Sequence, residues 1–333
     1  MDVRGKKIFI GLSGGVDSAV SAALLVRAGA QVTGVFIKGW YPPGMPCTWA
    51  AERRDAMRVA ARLNIPFFTL DAHTEYKENV IDYLLTEYRA GRTPNPDVMC
   101  NKGVKFGAFY RFAKSHGADA IAMGHYRQGE KDQSYFLWAV PKEILAATLF
   151  PVGNFTKNEV RAQAKRFKLP VANKKDSQGV CFLGSISIEE FLRAELKVFP
   201  GRALDEHGRV VGMHEGALLF TIGQRVPLWG ARKKGPWFVI AKDSTKNELR
   251  VGNTRFPVTT PAQHGIRFTN ANWFNSPMYV REAQYRYRGP RITGKVENDH
   301  FISSTPLHEV LAFGQSIVFY GNDELIGGGI ISV

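Results

Sequence analysis

The sequence predicts an α/β protein: an N-terminal α/β domain on a mainly parallel sheet, a small β-rich central domain and a C-terminal β-barrel. Three observations predict this. Apolar strand-like runs alternate with amphipathic helical stretches over residues 1–125. Beyond residue 198 the texture changes to short alternating runs broken by Gly, Pro and Asn. A chain of 333 residues also exceeds what one core usually holds, so it divides. The expected domains are 1–198, 199–263 and 264–333.

The run KIFIGL (7–12) reads as the first strand and ends in SGGVDS (13–18). Residues 19–28 are amphipathic and stop at Gly29, a suitable helix terminator. QVTGVFI (31–37) is a second strand. Together these form a βαβ unit whose glycine loop lies at the carboxyl end of the first strand. The alternation continues with helix 52–63, strand 67–70, helices 75–89 and 105–115, strand 120–123 and a helix at 188–196. In the central domain, 237–240 and 249–251 alternate like strands. A second β block starts near Gly265 and includes 278–287, 292–297, 301–304 and 316–320, consistent with a closed barrel.

Charge is uneven along the chain, whose formal net value is +14. Residues 1–100 hold 12 basic and 10 acidic side chains, 101–250 hold 25 and 14, and 251–333 hold 7 and 6. A basic middle on a neutral frame suits a polyanion, nucleic acid ahead of a membrane surface; a solvated Lys/Arg surface is the bland alternative. No segment approaches the roughly 18 apolar residues of a membrane span. The N-terminal apolar run is too short for a signal-peptide core, so a cytoplasmic protein with no membrane partner is expected. Three cysteines, Cys47, Cys100 and Cys181, are too few for a disulfide scaffold.

The glycine loop is the strongest single feature. Small residues let backbone N–H groups converge on an anion, and the following helix adds its positive end. SGGVDS lacks the lysine of a Walker A loop and does not match the dinucleotide-binding GxGxxG. Its strand–loop–helix setting resembles the PP-loop of ATP pyrophosphatases, which cleave ATP between the α- and β-phosphates. Cys100 follows two prolines in GRTPNPDVMCNK (91–102), near the start of the helix expected from Lys105. The helix dipole and Lys102 favour a thiolate there, and Asp97 is a local proton acceptor. Cys181 lies in KKDSQGVCFLG (174–184), whose lysines and glycines suggest an exposed, electropositive loop. Taken singly, each cysteine also suits a buried apolar position.

Together with MGHY, KDQSYFLW, LFPVG, TIGQR, RYR and GQSIVFY, these motifs resemble the bacterial tRNA-specific 2-thiouridylases, in order from residue 11 to 320. One departure is Gly103, where that family more often has a larger residue. The resemblance implies an N-terminal PP-loop domain of the adenine-nucleotide α-hydrolase-like, Rossmann type. It implies ATP and Mg²⁺ as cofactors. The partners it implies are a tRNA carrying a wobble uridine and a persulfide sulfur-donor or relay protein. It places Gly11, Leu12, Ser13, Gly14, Gly15, Val16, Asp17, Ser18, Ile37 and Gly124 around ATP. By the same resemblance Cys181 would carry the persulfide, Cys100 would be its thiol partner, and Asp97 would assist. The pair either frees sulfide and closes a Cys100–Cys181 disulfide, or the persulfide attacks the activated carbon directly. The resemblance also places Asn95, Pro96 and Asp97 against the target base, and Lys131, Asp132, Gln133, Arg286, Tyr287 and Gln315 against the tRNA. His125 is a contact near the active site, a general acid or a loop-stabilising donor. No resident metal ligands are expected, although three cysteines also suit an iron–sulfur cluster; Cys47 reads otherwise as core. Two rivals stand beside this: another PP-loop enzyme acting on a small molecule, and a tRNA-binding protein without catalysis.

Overall fold

The structure, a computed structural model, describes residues 2–41, 49–127, 129, 132–175, 187–231, 235–254, 263–307 and 311–332. Cys47, Lys131, Cys181 and the basic run 232–234 lie outside them. The chain forms two compact units, residues 1–81 with 97–186, and 82–96 with 187–333.

The first unit is built on strands β1 (Lys7–Gly11), β2 (Gln31–Lys38), β3 (Phe67–Asp71), β4 (Ala120–Ala122) and β5 (Thr148–Leu149), in the order β3-β2-β1-β4-β5. Every pairing is parallel. The strands are therefore apolar runs rather than alternating ones, because helices cover both faces. Ile8, Ile10, Val32 and Phe36 sit in one core with Val16, Val20 and Leu25 of α1 (Val16–Arg27) and Ala56 and Val59 of α2 (Trp49–Leu63). The chain runs outward from β1 through β2 to β3 and returns on the other side as β4 and β5. The order reverses between β1 and β4, and the crevice at their carboxyl ends is where such sheets bind ligands.

After β3 come α3 (His73–Tyr76), a π-helical stretch Lys77–Asp82 and α4 (Tyr83–Arg89). Then follow α5 (Pro96–Cys100), a second π-helical stretch Asn101–Ala108 and α6 (Phe109–Ser115). The helix expected from Lys105 thus begins nine residues earlier, at Pro96. Proline has no N–H to lose in a first turn, so the prolines that suggested a loop include a helix start. Gly103 also has a local reason: a Cβ there would come within 2.7 Å of the Asn79 side chain. Beyond α7 (Lys142–Ala146), the unit holds α8 (Lys157–Arg166). The sequence reading missed α8 and β5. β5 is two residues long, too short for periodicity, whereas α8 carries a capping box, Thr156 with Glu159, that a search for Ser/Thr-x-x-Glu finds.

In the second unit, α9 (Ile188–Glu195) precedes β6 (Gly201–Leu204), β7 (Val210–His214), β8 (Phe238–Asp243) and β9 (Glu248–Gly252). These strands make a four-stranded sheet ordered β7-β6-β9-β8. The remaining strands are β10 (Gln263–Trp273), β11 (Glu282–Gln284), β12 (Ile292–Glu297), β13 (His300–Leu307), β14 (Ser316–Gly321) and β15 (Glu324–Ile331). They close into a barrel, β10-β13-β12-β11-β14-β15. Its interior holds Ile266, Phe268, Phe301, Ile317 and Phe319. The expected α/β architecture with a terminal barrel is the observed one.

Candidate active site

Gly11 ends β1, and Leu12 to Gly15 form the loop that enters α1 at Val16. Gly14 adopts φ +74°, and a Cβ there would collide with the Glu52 carbonyl oxygen, so only glycine suits the turn. Gly15 is the N-cap of α1, and no side chain among the described residues caps the helix. The first-turn N–H groups are thus open to an anion, reinforced by the helix dipole. Gly124, just after β4, supplies the opposite wall: a Cβ would lie 2.9 Å from the Ser18 amide nitrogen. Backbone from β4 therefore passes directly over the α1 terminus. Ile37, near the end of β2, is half-buried beside this edge. Ser13 and Ser18 bind each other through their hydroxyls at 3.2 Å, which ties the loop to the first turn of α1.

Asp17 sits in the first turn of α1 and meets Lys157, the first residue of α8, at 2.7 and 2.9 Å. The Tyr126 hydroxyl donates to the same carboxylate at 2.6 Å. Lys174 donates to the Gly14 carbonyl at 3.0 Å and pairs with Asp55 at 2.7 Å. Two ammonium groups therefore flank a loop that already offers N–H donors. Sequence reasoning missed Lys157 and read Lys174 only as part of the Cys181 loop, because their approach to Asp17 and Gly14 spans about 140 to 160 residues. The residues fit a triphosphate: uncapped amides, a close-packed glycine wall and two cations. They also fit Mg²⁺, which needs only one or two carboxylates besides phosphate oxygens and water. Among the described residues no cluster of His, Cys, Asp or Glu suits a resident metal.

Cys100 ends α5 and is buried, at 2% exposure. Asp97 lies in the first turn of α5 and is half-buried, Pro96 is buried, and Asn95 is half-buried. The Asn101 amide donates to the Phe136 carbonyl at 3.1 Å and anchors the helix just past the thiol. Gln133 pairs with Tyr126 through its main chain, and its side-chain oxygen accepts the Tyr126 N–H at 3.1 Å. It thus steadies the tyrosine that holds Asp17. Asp132 accepts from the Ser134 amide and hydroxyl, at 2.8 and 2.9 Å. The sequence-predicted RNA contacts at 132 and 133 therefore also brace their own loop.

His125 packs between Phe106 and Phe150, with ring centroids 5.4 and 6.4 Å away. Burial, and secondarily the charge of Lys105, brings its pKa down to about 3. The imidazole is held neutral at working pH. The unfolded chain takes a proton near the ordinary value of 6.5 and the folded chain does not until about 3. Stability is accordingly lost as pH falls through that interval. His125→Phe is expected to melt with a smaller difference between pH 7 and pH 4.5 than the parent, as read by circular dichroism. An equal difference in both proteins contradicts a neutral buried imidazole.

In the barrel the arginines around the Gly289 turn are of two kinds. Arg281 donates to the Met278 and Val280 carbonyls, and Arg291 stacks 3.8 Å over Tyr320 while pairing with Asp323 at 2.8 Å. Those two guanidinium groups brace the fold. Arg286 and Arg288 remain at the Gly289 turn, over Tyr285 and Tyr287 at 5.9 and 5.3 Å. Gln315 donates to the Thr93 and Pro94 carbonyls at 2.7 and 3.3 Å, holding the segment that leads to Asn95.

A parallel sheet with an open glycine loop at its switch point, followed by a small sheet and a closed barrel, defines a phosphate-loop enzyme with accessory β domains. Residues 6–185 match a model described as tRNA methyl transferase HUP domain, 189–253 one described as tRNA methyl transferase PRC-barrel domain, and 263–331 one described as aminomethyltransferase beta-barrel domain. The tRNA-specific 2-thiouridylase MnmA of Streptococcus sanguinis is 39% identical, over 98% of this chain and 95% of its own. Those of Streptococcus thermophilus and Streptococcus agalactiae are each 40% identical over the same shares. The chain belongs to the tRNA-specific 2-thiouridylase family, which are sulfurtransferases. Among solved structures, an NMN synthetase from Francisella tularensis aligns with 57% of this chain and 73% of its own, at 19% identity and a TM-score of 0.38. That likeness is too distant to add to the assignment. No helix among the described residues is long and apolar enough to cross a membrane.

Proposed function

We propose that this protein thiolates tRNA: it adenylates O2 of the wobble uridine with ATP and replaces that oxygen with sulfur, releasing AMP and pyrophosphate. The observation that carries the proposal is the open loop Gly11–Ser18, walled by Gly124 and flanked by Lys157 and Lys174. A carbonyl oxygen is a poor leaving group, and adenylation turns it into AMP. The loop amides and the two ammonium groups stabilise the charge that develops on departing pyrophosphate. Asp17 would hold Mg²⁺, which supplies further neutralisation of the phosphates.

Sulfur then arrives as a persulfide on Cys181, delivered by a donor or relay protein. Cys100 attacks its inner sulfur to free hydrosulfide and close a disulfide, or resolves the bond after the outer sulfur has displaced AMP. Either course ends with two oxidised cysteines that a cellular thiol must reduce. The matching domain models are described by methyl transfer whereas the relatives are named for thiolation. Methyl transfer from an activated methyl donor calls for no ATP-cleaving phosphate loop, which favours sulfur. Asp97, three residues before Cys100, serves the base or the thiol. We keep the boundaries 1–198, 199–263 and 264–333, a cytoplasmic location, and tRNA contacts at Asn95, Pro96, His125, Lys131, Asp132, Gln133, Arg286, Tyr287 and Gln315 as parts of this proposal.

The deciding experiment incubates the protein with unmodified tRNA, ATP, Mg²⁺ and a persulfide source, then analyses the nucleosides by mass spectrometry. ATP-dependent 2-thiouridine is expected; its absence with tRNA bound favours a binding protein. The barrel contacts have their own test. Arg286→Ala with Arg288→Ala should weaken tRNA binding and make the salt slope of affinity shallower by about one unit per lost phosphate contact. If the pair only braces its turn, the melting temperature drops and the slope is unchanged.

A further inference from the structure

The second unit contains a cavity of about 530 Å³ that the thiolation chemistry does not use. Lys242 on β8, Arg267 on β10, His300 on β13 and Ser332 line it, with Ile240 and Phe313 among its apolar walls. Arg267 and His300 both reach Asp299, at 2.9 and 2.7 Å, so that carboxylate already has two partners. Lys242 is different. Its ammonium donates to the Phe220 carbonyl at 3.0 Å and has no carboxylate partner among the described residues. One carbonyl does little for a half-buried group with three N–H donors and a full charge. Burial lowers its pKa to about 8, which still leaves it mainly protonated at neutral pH. Ser332 supplies an independent sign: its hydroxyl is buried and has no hydrogen-bond partner among the described residues. A native fold rarely leaves such a group unpaired.

We propose that this cavity is a phosphate-binding site, in which Lys242 supplies the charge and Ser332 a hydroxyl donor. A phosphate offers several acceptor oxygens at once, which suits an ammonium, a hydroxyl and the neighbouring Arg267. The volume exceeds a bare anion and fits a phosphate ester with its sugar. That ester comes from an RNA backbone or from a free nucleotide.

Melting of the full chain with and without inorganic phosphate, or AMP, tests this in the parent, Lys242→Met and Ser332→Ala. Phosphate is expected to raise the melting temperature of the parent and to raise that of Lys242→Met by less than half as much. Lys242→Met without phosphate should melt at or above the parent, since an uncompensated charge is gone. The source is read by two further arms. For an RNA phosphate, the salt slope of tRNA affinity becomes shallower in Lys242→Met by about one unit. For a free nucleotide, AMP separates parent from variant more than inorganic phosphate does, and the tRNA slope is unchanged. AMP bound at the glycine loop affects both proteins alike and cancels in the comparison. Equal shifts in parent and Lys242→Met, with equal slopes, overturn the proposal. Should Lys242→Met fail to fold, Ser332→Ala decides: a smaller phosphate shift than the parent supports the site and an equal shift refutes it. The phosphate arm requires no thiolation, so its failure leaves the proposed activity standing.

Discussion

Asp17→Ala is expected to reduce tRNA-dependent pyrophosphate release by at least about 10²-fold, the usual cost of losing one preorganised charge-stabilising group. The carboxylate lies in the first turn of α1, beside the open amides, and joins Lys157 and Tyr126. Its loss would remove the carboxylate proposed to hold Mg²⁺ and would free Lys157 from its position. Lys157→Met, which keeps the stem and removes the charge, should lower release to a similar degree. Tyr126→Phe removes only one hydrogen bond and should cost far less. Affinity for tRNA should change little in all three, because the loop is not among the proposed RNA contacts. The measurement is pyrophosphate release at saturating tRNA, with melting curves alongside. Parental release by Asp17→Ala removes that residue from the chemistry. A lowered melting temperature with unchanged release marks the Asp17–Lys157 pair as structural only.

Cys181→Ser should abolish 2-thiouridine while leaving tRNA-dependent pyrophosphate release intact, since adenylation needs no thiol. Cys100→Ser should still accept a persulfide on Cys181, detectable as a mass increase of one sulfur, and should fail to deliver it. The buried position of Cys100 at the end of α5 adds a condition. A thiol at 2% exposure exchanges slowly with an outside disulfide, so alkylation of native Cys100 should be slow without tRNA and ATP. Faster alkylation in their presence means that the α5 segment opens during turnover. Normal 2-thiouridine from Cys100→Ser overturns the two-cysteine scheme.

The glycine loop, the parallel alternation and the change to β texture near residue 198 were legible because each is a local pattern. SGGVDS announces an anion loop through residue size alone, and the apolar runs at 7–12 and 31–37 announce strands through composition. The α5 start was misjudged for an equally local reason, since Pro96 serves a turn and a first helical residue alike. α8 carried a readable signal in Thr156 and Glu159. β5, at two residues, carried none. Which groups complete the site is another matter. Lys157 reaches Asp17, and Lys174 reaches Gly14, only because the sheet order reverses between β1 and β4. The barrel arginines divide in the same way: Arg281 and Arg291 are taken up by carbonyls, Tyr320 and Asp323, while Arg286 and Arg288 stay at the turn. Local sequence sets the loop, the helices and the cysteine motifs, because their causes lie within a few residues. The partners of Asp17, the burial of Cys100 and the surroundings of Lys242, with no carboxylate beside it among the described residues, depend on packing between segments far apart in the chain, so only the folded structure decides them.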